Sequence, residues 1–176
     1  GPDGALWFAE TGENRIGRIT TAGVISEYGG ANGLGSPMNL VNGPDGALWF
    51  TELTGNAIGR ITTAGQITAQ FRTPNSNSGP SGIAVGGDGN LWFTETNSGQ
   101  LAQITPGGQI TEYPIQMSGT SPMGIVRGAD GNLVFVEQAT SQLVTFDLAP
   151  VVNDTDPGIV YTGNWSTQSN RTVGDF

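Results

Sequence analysis

Apolar and polar residues alternate along short stretches of this chain, and the same stretch returns at a fixed interval. Its clearest copy is residues 47–52, Ala-Leu-Trp-Phe-Thr-Glu, directly after a Pro-Asp-Gly turn. This pattern predicts a β-strand that begins at a tight hairpin, because Pro presets φ and Gly accepts the left-handed conformation. The same reasoning predicts four antiparallel strands per repeat, which in the third repeat are residues 81–85, 90–95, 100–105 and 109–113.

The turn and the strand after it occur four times, with small changes. The repeated aspartates are Asp3, Asp45, Asp88 and Asp130, at steps of 42, 43 and 42 residues. A repeat of this length with four strands is typical of a β-propeller blade. The chain holds fewer repeats than a closed ring of this kind usually contains, so we expect it to be part of a longer protein. The sequence therefore predicts an all-β propeller fragment of about four partial four-stranded blades, the first of which lacks its innermost strand.

Prolines and glutamates recur at one edge of the predicted blades. A proline marks the start of each first strand and a glutamate the end of each second strand, and antiparallel pairing brings these two ends together. We name this edge the proline–glutamate face, and its residues are Pro37, Pro80, Pro122, Glu52, Glu95 and Glu137. We expect a ligand to bind there, with Glu52 and Glu95 among its contacts. The glutamates could surround a hard cation, but their repetition favours a scaffold role as hydrogen-bond acceptors for neighbouring loops.

The fourth repeat and the residues after it depart from the pattern. Val134 stands where the earlier repeats have Trp7, Trp49 and Trp92, which we expect to pack between blades rather than to stack on a sugar. No fourth-strand motif recurs, and the repeat register is lost beyond Pro150. We therefore predict propeller blades over residues 1–149, and a linker with the first strands of an appended β-sandwich-like domain over residues 150–176.

Charge and composition exclude several classes of function. The chain has six Lys and Arg residues against 15 Asp and Glu, a net charge of -9, no Cys and no His. Such an acidic surface repels phosphate backbones, so we expect no nucleic-acid partner. The absence of Cys excludes thiol nucleophiles and zinc-thiolate sites. No apolar run is long enough to predict a membrane span. We expect an exported protein whose signal peptide, if it has one, lies upstream of Gly1.

Four phrases of the repeat resemble a known family over residues 1 to about 148. They are Leu-Trp-Phe-Thr-Glu, Asn-x-Ile-Gly-Arg-Ile, Gly-x-Ile-Thr-Glu-Tyr and Pro-x-Gly-Ile, and together they resemble the streptogramin B lyase (virginiamycin B lyase) family. The resemblance implies a seven-bladed propeller that opens a cyclic depsipeptide antibiotic at its ester by elimination. It also implies a magnesium ion, and a base that is the His of a Glu-Pro-His-Gly-Ile stretch. That Glu and another at the end of the following strand hold the ion.

Carried onto this chain, the family stretch falls on Ser121-Pro122-Met123-Gly124-Ile125, and its second Glu falls on Glu137. Glu137 is the one functional position retained, so the resemblance makes it a metal ligand, for magnesium. Met123 stands at the position of the base, and a thioether cannot take up a proton near neutral pH. Met38 and Ser81 at the equivalent positions of other repeats offer no imidazole. We therefore assign no catalytic residue and take Ser121 and Met123 as candidate ligand contacts.

Two functions remain open at this stage. The leading interpretation is a non-catalytic binding or scaffolding propeller for a small-molecule or glycan ligand, within a multidomain exported protein. The alternative is an enzyme, either a magnesium-dependent lyase or a metal-dependent lactone hydrolase of similar shape. The tail resembles the start of a jelly-roll carbohydrate-binding-like module, on residues 154–157, Asp-Thr-Asp-Pro, and residues 161–165, Tyr-Thr-Gly-Asn-Trp. A Pro-His-Gly-Ile phrase in further blades would favour the enzyme.

Overall fold

The computed structural model describes residues 1–30, 33–115 and 119–148, together with the backbone of residues 165–168. These residues form four antiparallel sheets, and their helical content is one short 3-10 turn, Thr11–Glu13. The prediction of an all-β propeller fragment is confirmed. Within this part of the chain, no helix has the length and apolar character needed to cross a membrane.

The strands follow one another in chain order within each sheet. The first sheet comprises β1 (Leu6–Glu10), β2 (Arg15–Ile19) and β3 (Ile25–Gly29). The second comprises β4 (Pro37–Asn42), β5 (Leu48–Glu52), β6 (Ala57–Ile61) and β7 (Ile67–Arg72). The third comprises β8 (Pro80–Val85), β9 (Leu91–Glu95), β10 (Gln100–Ile104) and β11 (Ile110–Pro114). The fourth comprises β12 (Pro122–Arg127), β13 (Leu133–Glu137), β14 (Gln142–Phe146) and β15 (Trp165–Gln168).

The first and fourth sheets differ from the two complete repeats between them. The first sheet has three strands, as predicted. The fourth sheet is completed by β15, which pairs antiparallel with β14. That strand lies in the segment predicted to begin an appended domain. The other residues of 149–176, including the Asp-Thr-Asp-Pro stretch, lie outside the described part of the chain, so the division into domains stays a prediction.

Each repeated aspartate closes its turn and holds neighbouring side chains. Asp45 Oδ1 accepts the backbone N–H of Ala47 at 3.2 Å and the indole N–H of Trp49 at 3.0 Å. Asp45 Oδ2 accepts Arg60 Nε at 2.7 Å. Burial alone would raise the pKa of Asp45, but these donated bonds hold it below its usual value. In the second sheet one carboxylate thus holds a turn, a buried indole and a cation.

Replacing Asp45 by alanine should lower the free energy of unfolding by about 2 to 3 kcal/mol, because the buried Trp49 N–H loses its acceptor. The matched control is Asp130→Ala, since Val134 stands at the Trp position of that sheet and Asp130 accepts bonds from Asn132. The control should cost about 1 kcal/mol or less. Chemical denaturation followed by circular dichroism measures both, and equal losses would contradict the role given to Asp45.

Apolar side chains fill the spaces between adjacent sheets. The Trp49 and Phe71 rings of the second sheet stack with centroids 5.6 Å apart and belong to one buried cluster with Ile83 of the third sheet. Trp92 of the third sheet packs on Phe146 of the fourth, with centroids 5.2 Å apart. The expected packing role of the tryptophans is thus seen at both interfaces. Rings of two sheets meet between the third and fourth sheets, whereas Trp49 contributes to the second interface through a cluster with Ile83.

Candidate functional site

The strand register brings each predicted proline and glutamate together. Pro37 pairs with Glu52, Pro80 with Glu95 and Pro122 with Glu137. After each proline the ladder shifts, so that the two following residues bulge out of the pairing. A bulge re-aims side chains and frees backbone groups. Residues 38, 81 and 123, which lie at the family's base position in their repeats, therefore sit in bulges at the proline–glutamate face.

Threonine hydroxyls use the freed carbonyls to join neighbouring sheets. Thr51 Oγ1 donates to the Ser81 carbonyl at 2.7 Å, and Thr94 Oγ1 donates to the Met123 carbonyl at 2.5 Å. Thr96 Oγ1 donates to the Pro122 carbonyl at 2.6 Å. These bonds fix the start of β8 on the second sheet and the start of β12 on the third. The bulged residues are therefore rigidly placed by main-chain contacts.

Ser121, Met123 and Glu137 meet at the start of β12. The Ser121 backbone N–H donates to Glu137 Oε2 at 3.0 Å. Met123 is half-buried, and its sulfur lies 3.9 Å from Thr96 Oγ1. The Glu137 side chain is fully buried, and its Oε1 has no hydrogen-bond partner among the described residues. The structure thus bonds Ser121 to Glu137 and places Met123 directly after Pro122, the strand partner of Glu137, with a thioether where the family pattern has an imidazole.

The donors around Glu137 fit a magnesium ion poorly. Magnesium requires near-octahedral oxygen coordination and usually needs more than a single carboxylate. Here one carboxylate is offered, and its Oε2 already accepts the Ser121 N–H. Among the described residues, no group of three or more acidic, His or Cys side chains could hold a metal. Glu137 as a metal ligand stays a prediction, and we assign no chemical step to a metal here.

Glu52 is buried with both of its oxygens partnered. Its Oε2 accepts the Gly35 backbone N–H at 2.7 Å, and Gln70 Nε2 donates to its Oε1 at 2.9 Å. Glu52 and Gln70 line a surface depression of about 450 Å³, together with Arg72. The bond from Gly35 matches the scaffold role, in which the glutamate holds the loop before the first strand.

Glu95 has different surroundings. Its Oε2 accepts the Ser98 hydroxyl at 2.8 Å, while Oε1 is buried with no hydrogen-bond donor in the described part of the chain. Burial raises the pKa of Glu95 to about 7, the Ser98 hydroxyl opposes that shift, and the Glu112 carboxyl adds to it. Glu112 was missed from the sequence. Glu112 occupies the same place in its sheet as Gln70, and this equivalence becomes apparent only once β10 is paired with β11.

A second depression, of about 390 Å³, begins at the second residue of each bulge, Asn39, Gly82 and Gly124. The rest of its lining is mainly apolar and comes from β8, β12, β13 and β14, with Leu143 among its residues. Leu143 is 52% exposed. None of the predicted ligand contacts lines this groove, so the candidate site stays at the proline–glutamate face.

Comparison with known proteins gives a family and several similar structures. The model of the virginiamycin B lyase family matches residues 1–155. The crystal structure of virginiamycin B lyase from Staphylococcus aureus is 37% identical, with a TM-score of 0.83, and the match covers 97% of this chain and 54% of that one. A streptogramin B lyase structure is 33% identical with a TM-score of 0.82, covering 97% and 52% of the two chains. No curated protein sequence matches this chain.

A third similar structure contains a ligand. It is a catalytically inactive His-to-Ala variant of the Staphylococcus aureus enzyme with quinupristin, and it is 38% identical to this chain with a TM-score of 0.84. The match covers 97% of this chain and 53% of that one. The chain therefore spans about half the length of the solved lyases that it matches.

Proposed function

Because this chain belongs to the virginiamycin B lyase family, we propose that it is a binding propeller that takes a cyclic depsipeptide at its proline–glutamate face without opening it. The observation that carries the proposal is Met123. It stands at the start of β12, beside Glu137, where the family pattern has its proton-accepting His. A general base must be able to accept a proton near the working pH, and a thioether cannot. The sequence contains no His at any position.

Binding without turnover is supported by the rigid placement of this face. The start of β12 is held by Thr94 and Thr96 of the third sheet, so the half-buried Met123 side chain presents an apolar, polarizable contact at a fixed place. An inactive variant of a relative, in which a His is replaced by Ala, has been crystallised with quinupristin. In this chain Met123 stands at the position where the family stretch carries its His, and under the proposal it has the same lack of an imidazole. We place the module in an exported multidomain protein, with a glycan as the other ligand class that it would serve.

One observation favours the alternative, a lyase. Glu137 is a fully buried carboxylate whose Oε1 has no donor in the described residues, and such a group costs free energy unless something pairs with it. A ligand or ion that pairs with Glu137 would remove this cost. Ring opening by elimination would still need a base, which in this proposal the chain does not supply at position 123.

The two functions are separated by incubating the chain with quinupristin and MgCl₂. Calorimetry measures binding, and liquid chromatography resolves the linear product, which has the same mass as the substrate because elimination adds no atom. We expect binding with a dissociation constant below about 1 mM and no ring opening above the buffer rate. Met123→Ala should weaken binding by removing the apolar contact.

Restoring the family pattern provides the matched test. Ser121→Glu combined with Met123→His should give magnesium binding before it gives any activity, whereas Ser81→His, at the equivalent position of the third sheet, should give neither. Turnover by the unmodified chain that disappears in Glu137→Gln would make the protein an enzyme. Absence of binding up to about 1 mM would remove the cyclic depsipeptide as its ligand.

A further inference from the structure

The glutamates that end β1, β5 and β9 are equivalent, but each has a different polar neighbourhood. In the first sheet Glu10 lies opposite Arg15, which is also the strand partner of Gly29 on β3. Arg15 Nη1 makes an ion pair with Glu27 on β3, at 2.6 Å from Glu27 Oε2. At this edge of the first sheet, the carboxylate of the outer strand is thus balanced by a cationic side chain of the protein.

In the second sheet a neutral amide, that of Gln70, takes the place of the second carboxylate and donates to Glu52. Gln70 occupies the position of Glu27, because Glu27 pairs with the glycine in the middle of β2 and Gln70 with the glycine in the middle of β6. Gln70 Nε2 donates to Glu52 at 2.9 Å and 3.2 Å, while Ala57 takes the position of Arg15. One carboxylate remains here, and it has donors to both oxygens.

The third sheet has a carboxylate at the position of Glu27 but no cation at the position of Arg15. Glu112 pairs with Ala102, which places it at the position of Glu27 and Gln70, and Gln100 lies opposite Glu95 at the position of Arg15. Glu95 is fully buried with an unpartnered Oε1, and the Gln100 Oε1 is buried without a partner in the described residues as well. Glu112 Oε1 accepts the Asn75 backbone N–H at 3.1 Å. Several oxygen acceptors therefore face an edge with no cationic side chain at the Arg15 position.

We propose that Glu95, Glu112 and Gln100 form a calcium site that supplies the positive charge Arg15 provides in the first sheet. Directly opposed residues of an antiparallel pair project on the same side of the sheet, so the Gln100 amide lies beside the Glu95 carboxyl. Carboxylate and amide oxygens are ligands that Ca²⁺ prefers, and its flexible coordination accepts waters at the remaining positions. The site shares Glu95 with the proline–glutamate face but uses neither Met123 nor Glu137, and its test measures Ca²⁺ alone, so it can fail or succeed separately from depsipeptide binding.

The ligand set also predicts the strength of binding. The described residues supply two carboxylates and no third acidic group near them. Calcium modules with few charged ligands bind with dissociation constants of roughly 0.1 to 1 mM. Calcium is preferred over magnesium, because Mg²⁺ dehydrates reluctantly and tolerates irregular geometry less well.

Thermal unfolding of the whole chain tests the site, at pH 7.5 in EDTA and in CaCl₂ up to about 10 mM. Ca²⁺ should raise Tm by about 3 to 6 °C with saturation, and calorimetry should find one ion per chain. MgCl₂ and NaCl at the same ionic strength should give less than half of this shift.

Two variants with the same change of net charge separate the site from general screening. Glu112→Gln reproduces the Glu52 and Gln70 pair, so it should raise Tm in EDTA and abolish the response to Ca²⁺. Glu27→Gln removes a carboxylate that Arg15 already pairs, so it should leave the response to Ca²⁺ unchanged. A Tm shift that Mg²⁺ or NaCl matches, or one that persists in Glu112→Gln, would overturn the proposal and leave a shared proton as the occupant of the pair.

Discussion

Trp92→Ala is expected to lower the free energy of unfolding by about 3 to 5 kcal/mol, the range for a large aromatic side chain lost from a close-packed core. Trp92 is fully buried between the third and fourth sheets, where its ring centroid lies 5.2 Å from those of Tyr113 and Phe146. Its indole N–H donates to Asp88 at 3.2 Å. The substitution removes all of these contacts and leaves a cavity at a sheet interface. Urea denaturation followed by circular dichroism measures the loss without depending on the tryptophan signal.

The control for this prediction is Trp7→Ala in the first sheet. Trp7 makes the equivalent bond to its aspartate and stacks on Tyr28 with centroids 5.6 Å apart, but it is only half-buried. Trp7→Ala should lower the free energy of unfolding by about 1 to 2 kcal/mol, because Trp7 buries less apolar area in the native state than Trp92 does. A Trp92→Ala variant that loses no more than the control would show that the third and fourth sheets do not depend on this contact.

The stability of the chain is expected to fall as pH rises from about 5 to 7, and Glu112→Gln should reduce this fall. The pKa of Glu95 is about 7 in the folded protein against 4.5 as its reference value. In this window the folded state keeps a proton that the unfolded state has lost, so raising the pH favours unfolding. The free energy of unfolding should be lower by on the order of 3 kcal/mol above the folded pKa than below the reference value.

The measurement is the free energy of unfolding in EDTA at several pH values above 5. This range lies clear of Asp3: burial would raise its pKa, but bonds from Trp7 and Arg18 hold it at about 2, so its contribution is lost only at lower pH. In Glu112→Gln one cause of the raised Glu95 pKa is gone and an amide donor takes its place. The fall should therefore shrink, while the part caused by burial, the largest cause, remains. Stability that rises between pH 5 and 7 in the unmodified chain would refute the assignment to Glu95.

The fold was accessible from the sequence because its signals are local and repeated. Period-two alternation placed β8 at residues 81–85, and the structure begins it at Pro80. The pairing of Pro80 with Glu95 also followed from strand direction alone. Sequence reasoning placed the Pro-Asp-Gly turns, but it did not show that Asp45 joins Trp49 to Arg60, because that link depends on side-chain geometry across two strands.

The parts of the site that could not be predicted depend on non-local register. Glu112 reaches Glu95 from a strand two positions away in the sheet, and a bulge between β6 and β7 shifts the equivalent Gln70 by one residue. No spacing rule in the sequence reveals that both residues occupy one place. The strand β15 carries no repeat motif at all, so its pairing with β14 had no sequence signal.

The bond that joins the third sheet to the fourth at residue 123 is accepted by a backbone carbonyl. Every amino acid carries that oxygen, so Thr94 finds the same acceptor whichever side chain occupies the position. Ser81 fills the equivalent place one repeat earlier and accepts the bond from Thr51 in the same way. The side chain at residue 123 can therefore change while this bond between the sheets stays, whereas the buried Ser81 hydroxyl also bonds Thr94 and Thr96. A substitution at residue 123 thus changes the side chain that this face presents without breaking the contact between the third and fourth sheets.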